Sequence, residues 1–204
     1  ELDPGTVRAV LEKNKVDPDR PILTQISRFD RLKDPLGVIA AYRIVKKHHD
    51  CQLTLAGGGA SDDPEGARIL AQMTEVAKDF LARGDVLFVR GDDPILVNVM
   101  QRISDIVIQK STREGFGLVI TEAMWKGTPV VASNVGGIPT QMVDGVTGYL
   151  LEPHDYEGFA EKITALLEDK SLAQELGQQA KKHVRDHFLI TGHLLDYIDL
   201  ILSL

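Results

Sequence analysis

The chain has 204 residues, of which 43% are hydrophobic and 26% charged, with a formal net charge of -7. That length suits one domain with a full core, and the acidic balance argues against a general nucleic-acid surface or an anionic membrane as partner. Cys51 is the single cysteine, which excludes a disulfide framework and a Cys-based zinc site and fits a cytoplasmic location, while no apolar run reaches the ~18 residues of a membrane span and no signal-peptide pattern occurs.

Read along the chain, residues 1–20 carry a polar amphipathic helix near 4–14 and then DPDRP, a turn-like lead into the first strand. That strand is PILTQIS (21–27), and a helix is expected over 35–48. QLTLAGG (52–58) follows, then a helical stretch over 64–82, VLFVR (86–90) and a helix over 95–103. Next come DIVIQK (105–110), a helix over 118–126, PVVAS (129–133), a short helix near 138–143 and GYLLE (148–152). The apolar runs are nearly continuous, as when both faces of a sheet are covered. Their alternation with amphipathic stretches predicts an α/β fold, a doubly wound, parallel, six-stranded Rossmann-like sheet over 21–152. From 153 to 204 the chain reads as helices, at 155–168, 171–187 and 191–203. Ligands of such sheets bind outside the carboxyl ends of the strands. The loops of interest therefore follow Ser27, Gly58, Arg90, Lys110, Ser133 and Glu152.

REGFGLVITEAMWKG (113–127) stands after the fourth strand. Gly127 and then Pro129 mark a helix C-terminus, which puts the helix start near Gly117 or Leu118. The first N–H groups of such a helix lack partners and carry about half a positive charge. A phosphate or sugar hydroxyl is favoured there, and Gly115 and Gly117 leave room for close approach. Glu122 projects from the same helix face as Leu118, in reach of hydroxyls next to a phosphate, and Glu114 of those on the far side. A carboxylate accepts two hydrogen bonds from a vicinal diol, strengthened by its charge. Taken singly, either glutamate is more simply an ordinary acid, Glu122 serving the helix dipole and Glu114 solvated in a loop. Their joint spacing around the glycines points to a holder for a sugar–phosphate–ribose chain.

These residues carry a resemblance. EGFGLVITE (114–122) resembles the E-x7-E motif of retaining glycosyltransferases built from two Rossmann-like domains, the GT-B architecture. SRFDRLK (27–33) resembles that family's diphosphate motif, and VGGIPTQMVDGVTGYLL (135–151) its closing block, so the likeness runs in order over about 20–187. Within the group, QKSTREGFGL, AMWKG, DDPEG (62–66) and the final HFLITGHLLDYIDLI resemble trehalose glycosyltransferring synthases. The resemblance implies that Arg28 and Lys33 neutralise the donor diphosphate, as electrostatic catalysis requires where negative charge develops, and that Glu114 holds hydroxyls of the transferred glucose. It implies that Gly115, Phe116, Gly117, Leu118 and Val119 form the backbone cradle for sugar and phosphates and that Glu122 holds the ribose diol. The loop after Val89, with Arg90 and Gly91, would face the nucleobase. It implies anomeric retention, and no metal or cofactor beyond the UDP- or ADP-glucose substrate. Two positions depart from the broad family pattern. Asp34 replaces a glycine and sets an acid near the phosphates, and Thr140 and Gln141 stand where a glutamate is usual.

Gly58, within Gly57-Gly58-Gly59, either lets the backbone approach the ligand or simply turns the chain. Gly136-Gly137 is either a donor-facing loop or structural. Asp62-Asp63 and Asp92-Asp93 lack further spaced ligands and read as solvated loops rather than cation sites. His48, His49 and His154 read as surface residues, Trp125 as helix packing, Cys51 as inert. With one Rossmann-like unit and no initiating Met, the chain is expected to be the C-terminal nucleotide-sugar-binding domain of a two-domain enzyme. Its acceptor-binding N-terminal domain would be absent, leaving it inactive alone. Residues 1–20 would lie next to the linker, and the whole protein would take a glucose acceptor and could oligomerise. The competing readings are a retaining trehalose phosphorylase, a glycogen or sucrose synthase-like transferase, a nucleotide-sugar epimerase, and a non-catalytic nucleotide-binding module.

Overall fold

The computed structural model of the chain describes residues 2–58 and 64–203. α1 (Pro4–Asn14) precedes β1 (Ile22–Ile26), and α2 (Pro35–Val45) leads to β2 (Gln52–Gly57). α3 (Pro64–Val76) and α4 (Lys78–Arg83) lead to β3 (Val86–Arg90), α5 (Pro94–Ile103) to β4 (Ile106–Gln109), and α6 (Leu118–Lys126) to β5 (Val130–Ser133). A 3₁₀ turn (Ile138–Thr140) precedes β6 (Tyr149–Leu151), after which come α7 (Tyr156–Glu168), α8 (Lys170–His187) and α9 (Ile190–Leu202). All strand pairs are parallel and the spatial order is β3-β2-β1-β4-β5-β6. The expected doubly wound, six-stranded Rossmann-like sheet is therefore present. The order reverses between β1 and β4, and there the loops leaving their carboxyl ends diverge to opposite faces and open a crevice.

Alternate residues of each strand feed different cores. Leu23, Leu53, Leu55, Ile106, Ile108 and Val131 join α2, α3 and α7 on one face. On the other, Ile22, Ile26, Ala56 and Val89 meet α1 and α5, and Val107, Val130 and Ala132 meet α6 and α8. α8 lies close on the end of α6 because two glycines meet there: a Cβ on Gly177 would overlap the carbonyl oxygen of Gly127. α9 leaves its apolar side chains in solvent, Leu194, Leu195 and Ile201 each being more than half exposed.

Three sequence expectations shift. The helix expected over 64–82 is two, α3 and α4, joined at Ala77. Backbone bonds run through the joint, Ala77 N to Met73 O and Leu81 N to Ala77 O, so the break is a bend that turns Phe80 edge-on to Tyr42 at 5.4 Å. The helix expected over 138–143 is a single 3₁₀ turn, and α2 stops at Val45, whose carbonyl takes the N–H groups of both His48 and His49.

At the amino ends of β1 to β3, away from the crevice, Asp85 is the centre of a charge cluster. It takes Arg20 at 2.6 Å, Arg83 at 2.8 Å and Lys46 at 2.9 Å. Burial works to raise the Asp85 carboxyl, but hydrogen bonds from Arg83, Lys46 and Arg20 outweigh it and hold the group at about 2. The buried Cys51 thiol beside this cluster is pushed up to about 11, chiefly by burial, in line with an inert residue.

Candidate functional site

The crevice between β1 and β4 brings together two residues far apart in sequence. Lys33, on the loop after β1, pairs through Nζ with Oε2 of Glu114, on the loop after β4. Both side chains are largely buried, so the pair is positioned rather than solvated. Each partner is held from behind. Asp30 Oδ1 accepts the N–H groups of Leu32 (2.9 Å) and Lys33 (3.0 Å), and Gln25 Nε2 donates to Lys33 O at 2.9 Å. Gln109 Nε2 and Ser111 Oγ both donate to Glu114 Oε2, at 3.2 and 3.3 Å, while Gly115 N donates to Oε1 at 3.1 Å. The loops themselves join where Thr112 N donates to Leu32 O at 2.8 Å.

α6 begins at the bend the sequence marked. Gly117 is left-handed, at φ 91, and no side chain caps the helix. α2, α5 and α7, the other helices that leave carboxyl strand ends with described caps, are capped by Asp34, Asp93 and Asp155. Leu118 and Phe116 at the bend are exposed, whereas the Val119 side chain packs into the core. Gly136 and Gly137 serve this bend from outside. A Cβ on either would overlap a carbonyl oxygen, that of Glu114 or Gly115, and Gly137 N donates to Glu114 O at 3.3 Å. Gln141, fully buried, donates from Nε2 to Phe116 O. These two glycines thus act on backbone.

Arg28, Gly58, Arg90 and Gly91 line one cavity of about 420 Å³ over the carboxyl ends of β1 to β3, together with Ser27 and Asp92. Arg28 stays mostly exposed and pairs with Asp30 at 3.1 Å; Arg90 pairs with Asp92 at 2.5 Å. Gly57 and Gly91 are required there, since a Cβ on Gly57 would overlap Ser27 O and one on Gly91 would reach 2.9 Å from the Gly57 backbone. Glu122 opens onto an adjoining groove that shares Gly91 and Asp92 with the cavity. Its Oε2 accepts Gln101 Nε2 at 2.7 Å. The predicted residues thus fall along one rim of the sheet, Lys33 and Glu114 in direct contact, Arg28 and Arg90 in one cavity, Glu122 in the next.

Asp34 does not turn into the crevice. Its carboxylate caps α2 through Gly37 N at 3.0 Å and pairs with Lys110 Nζ. The Lys110 side chain is wholly buried and also donates to Pro153 O at 2.5 Å, above the Tyr156 ring at 4.5 Å. Burial lowers the Lys110 ammonium below its ordinary value, against the pull of Asp34. Lys110, Gln101 and Gln109 are residues holding the site that sequence reasoning missed, and Gln141, marked there only as a departure from the family pattern, is another. The available signal was a polar residue inside an apolar run, since buried polar groups require partners.

Of the remaining candidates, Asp93 caps α5 through Ile95 N at 2.8 Å and Asp92 serves Arg90, while Gly59, Asp62 and Asp63 lie outside the described residues. His49 faces Glu168 at 3.3 Å, and His48 and His154 are exposed. Trp125, expected to pack, is 41% exposed and lines the Glu122 groove, because α6 turns that face away from α8. No cluster of three or more metal-ligating side chains occurs among the described residues.

Residues 7–183 match the family model of glycosyl transferases group 1. Over its full length the chain is 44% identical to trehalose synthase of Thermococcus litoralis, covering 49% of that protein. Over 93% of its length it is 33% identical to trehalose phosphorylase of Grifola frondosa, covering 28% of it. Sucrose-phosphate synthase from Thermosynechococcus elongatus superposes with a TM-score of 0.82 at 28% identity, over 96% of this chain and 48% of that one. The chain spans about half the length of the trehalose synthase it matches.

Proposed function

The chain belongs to the group 1 glycosyl transferases, and on that premise we propose that it is the donor-binding half of a retaining glucosyltransferase that moves glucose from UDP- or ADP-glucose to glucose, forming trehalose. The observation that carries this reading is the Lys33–Glu114 pair at the topological switch point, beside a helix start with no side-chain cap. A diphosphate in the crevice meets Lys33, Arg28 and the first amides of α6. These groups stabilise negative charge as the diphosphate leaves, with no metal invoked. Glu114, already facing the crevice, accepts hydroxyls of the hexose. Glu122 accepts the ribose diol, and the cavity lined by Arg90, Gly91 and Gly58 takes the base. The acceptor and the exclusion of water fall to an N-terminal half across the cleft, so this half alone binds donor and transfers little. The relative length of the trehalose synthase supports that division. Its identity favours synthase over phosphorylase, since the phosphorylase match is weaker and covers less of its partner. A cytoplasmic setting belongs to the same reading.

The test is calorimetric titration of UDP, ADP, UDP-glucose and ADP-glucose. Glu122→Ala weakens the preferred nucleoside diphosphate roughly tenfold, and Glu114→Ala removes the advantage of the sugar nucleotide over the bare diphosphate. Unchanged affinities in both variants would refute the assignment.

A further inference from the structure

Glu122 has a neighbour that ought to disable it. Lys126 lies four residues further along α6, the spacing and order at which a Glu–Lys pair closes readily on a helix. Their side chains do not close, although Lys126 Nζ reaches the Glu122 backbone carbonyl at 3.3 Å. Lys126 Nζ instead donates to Gln101 Oε1 at 2.6 Å, and Gln101 Nε2 donates to Glu122 Oε2 at 2.7 Å. The chemistry fixes which way the amide points, because an ammonium only donates and a carboxylate only accepts. Gln101 is 1% exposed, and its backbone carbonyl is tied down by Thr128 Oγ1 at 2.6 Å. A buried amide on α5 thus stands between the cation and the anion of α6.

From this geometry we propose that Gln101 is the positioning residue of the ribose site, anchoring one oxygen of Glu122 and insulating the carboxylate from Lys126 so that the other oxygen stays free for the diol. The inference rests on the reading of Glu122 given above. It assigns Gln101 no contact with substrate. Without the amide, Lys126 swings onto Glu122 and competes with the ribose hydroxyls for the same oxygens.

The experiment measures affinity for UDP and ADP, each against its 2′,3′-dideoxy counterpart, and takes the ratio for the tighter base as the diol contribution. Glu122→Ala brings that ratio close to one; a ratio kept by Glu122→Ala overturns the reading of Glu122, and the proposal with it. Gln101→Met, close in shape and unable to bridge, lowers the ratio roughly tenfold, the size of one charge-assisted hydrogen bond. Adding Lys126→Met to that variant restores most of the ratio, which a loss of packing at residue 101 would not allow. Gln101→Leu repeats the series should the first variant fold poorly. A wild-type ratio in both residue-101 variants, alongside a lost ratio in Glu122→Ala, overturns the positioning role. A ratio that falls but is not restored by Lys126→Met overturns the insulation.

Discussion

Asp34→Gly installs the residue that the broad family pattern carries at this position, and the structure says it is the wrong one here. Asp34 sits in the left-handed region at φ 43, which glycine adopts more easily, so the backbone gains slightly. The lost α2 cap costs only a few tenths of a kcal/mol when glycine replaces it. The large term is Lys110, whose buried ammonium loses its carboxylate partner Asp34. Orphaning one member of a buried pair costs about 3–5 kcal/mol. Lys110→Met leaves Pro153 O without its donor, a cost of about 2 kcal/mol, and strands the Asp34 carboxylate, whose bond from Gly37 N and partial exposure keep the further loss small. With both changes no charge is orphaned, so the double variant also loses about 2 kcal/mol, far less than the sum of the singles. A second signature is in pH. A lysine whose folded pKa lies below 10.5 binds more protons unfolded, so stability rises as pH climbs toward that value. Removing Asp34 deepens the depression, and Asp34→Gly recovers stability relative to wild type as pH rises. Urea unfolding of the four proteins at neutral and alkaline pH measures both. Additive losses, or an Asp34→Gly variant within about 0.5 kcal/mol of wild type, would refute the reasoning.

Two further outcomes follow from the geometry. Asp85→Asn costs about 2 kcal/mol at neutral pH, because a carboxyl held at about 2 against an ordinary 3.8 contributes stability above the higher value. That contribution is lost as pH falls through about 2, so acid unfolding curves of variant and wild type converge there; a constant gap down to low pH would contradict it. Gly136→Ala combines strain at φ 56 with a clash on the Glu114 carbonyl. It loses about 2 kcal/mol in thermal unfolding and weakens UDP-glucose more than UDP, and equal weakening of the two would count against a role for this glycine in holding the Glu114 bend.

What could be read from the sequence was whatever is written locally. The strand–helix alternation and the glycine bend before 118–126 each lie within a few consecutive residues, and the topological rule then set the loops that follow them on one rim. The partners that hold the site are written nowhere in its neighbourhood. Gln101 is 21 residues from Glu122, Gln141 25 residues from Phe116, and Lys110 76 residues from Asp34. Asp34 shows what such distances hide. Beside a phosphate loop, an acid reads as a fault, because charge near charge is all that neighbouring residues express. In three dimensions Lys110 draws that acid down into the α2 cap, and the same contact anchors the loop bearing Lys33 to the strand that ends one residue before Lys110. The acid that reads as an obstacle to the proposed diphosphate site is therefore part of what keeps Lys33 facing Glu114. A substitution back toward the common pattern would loosen the site without touching a residue proposed to meet the ligand.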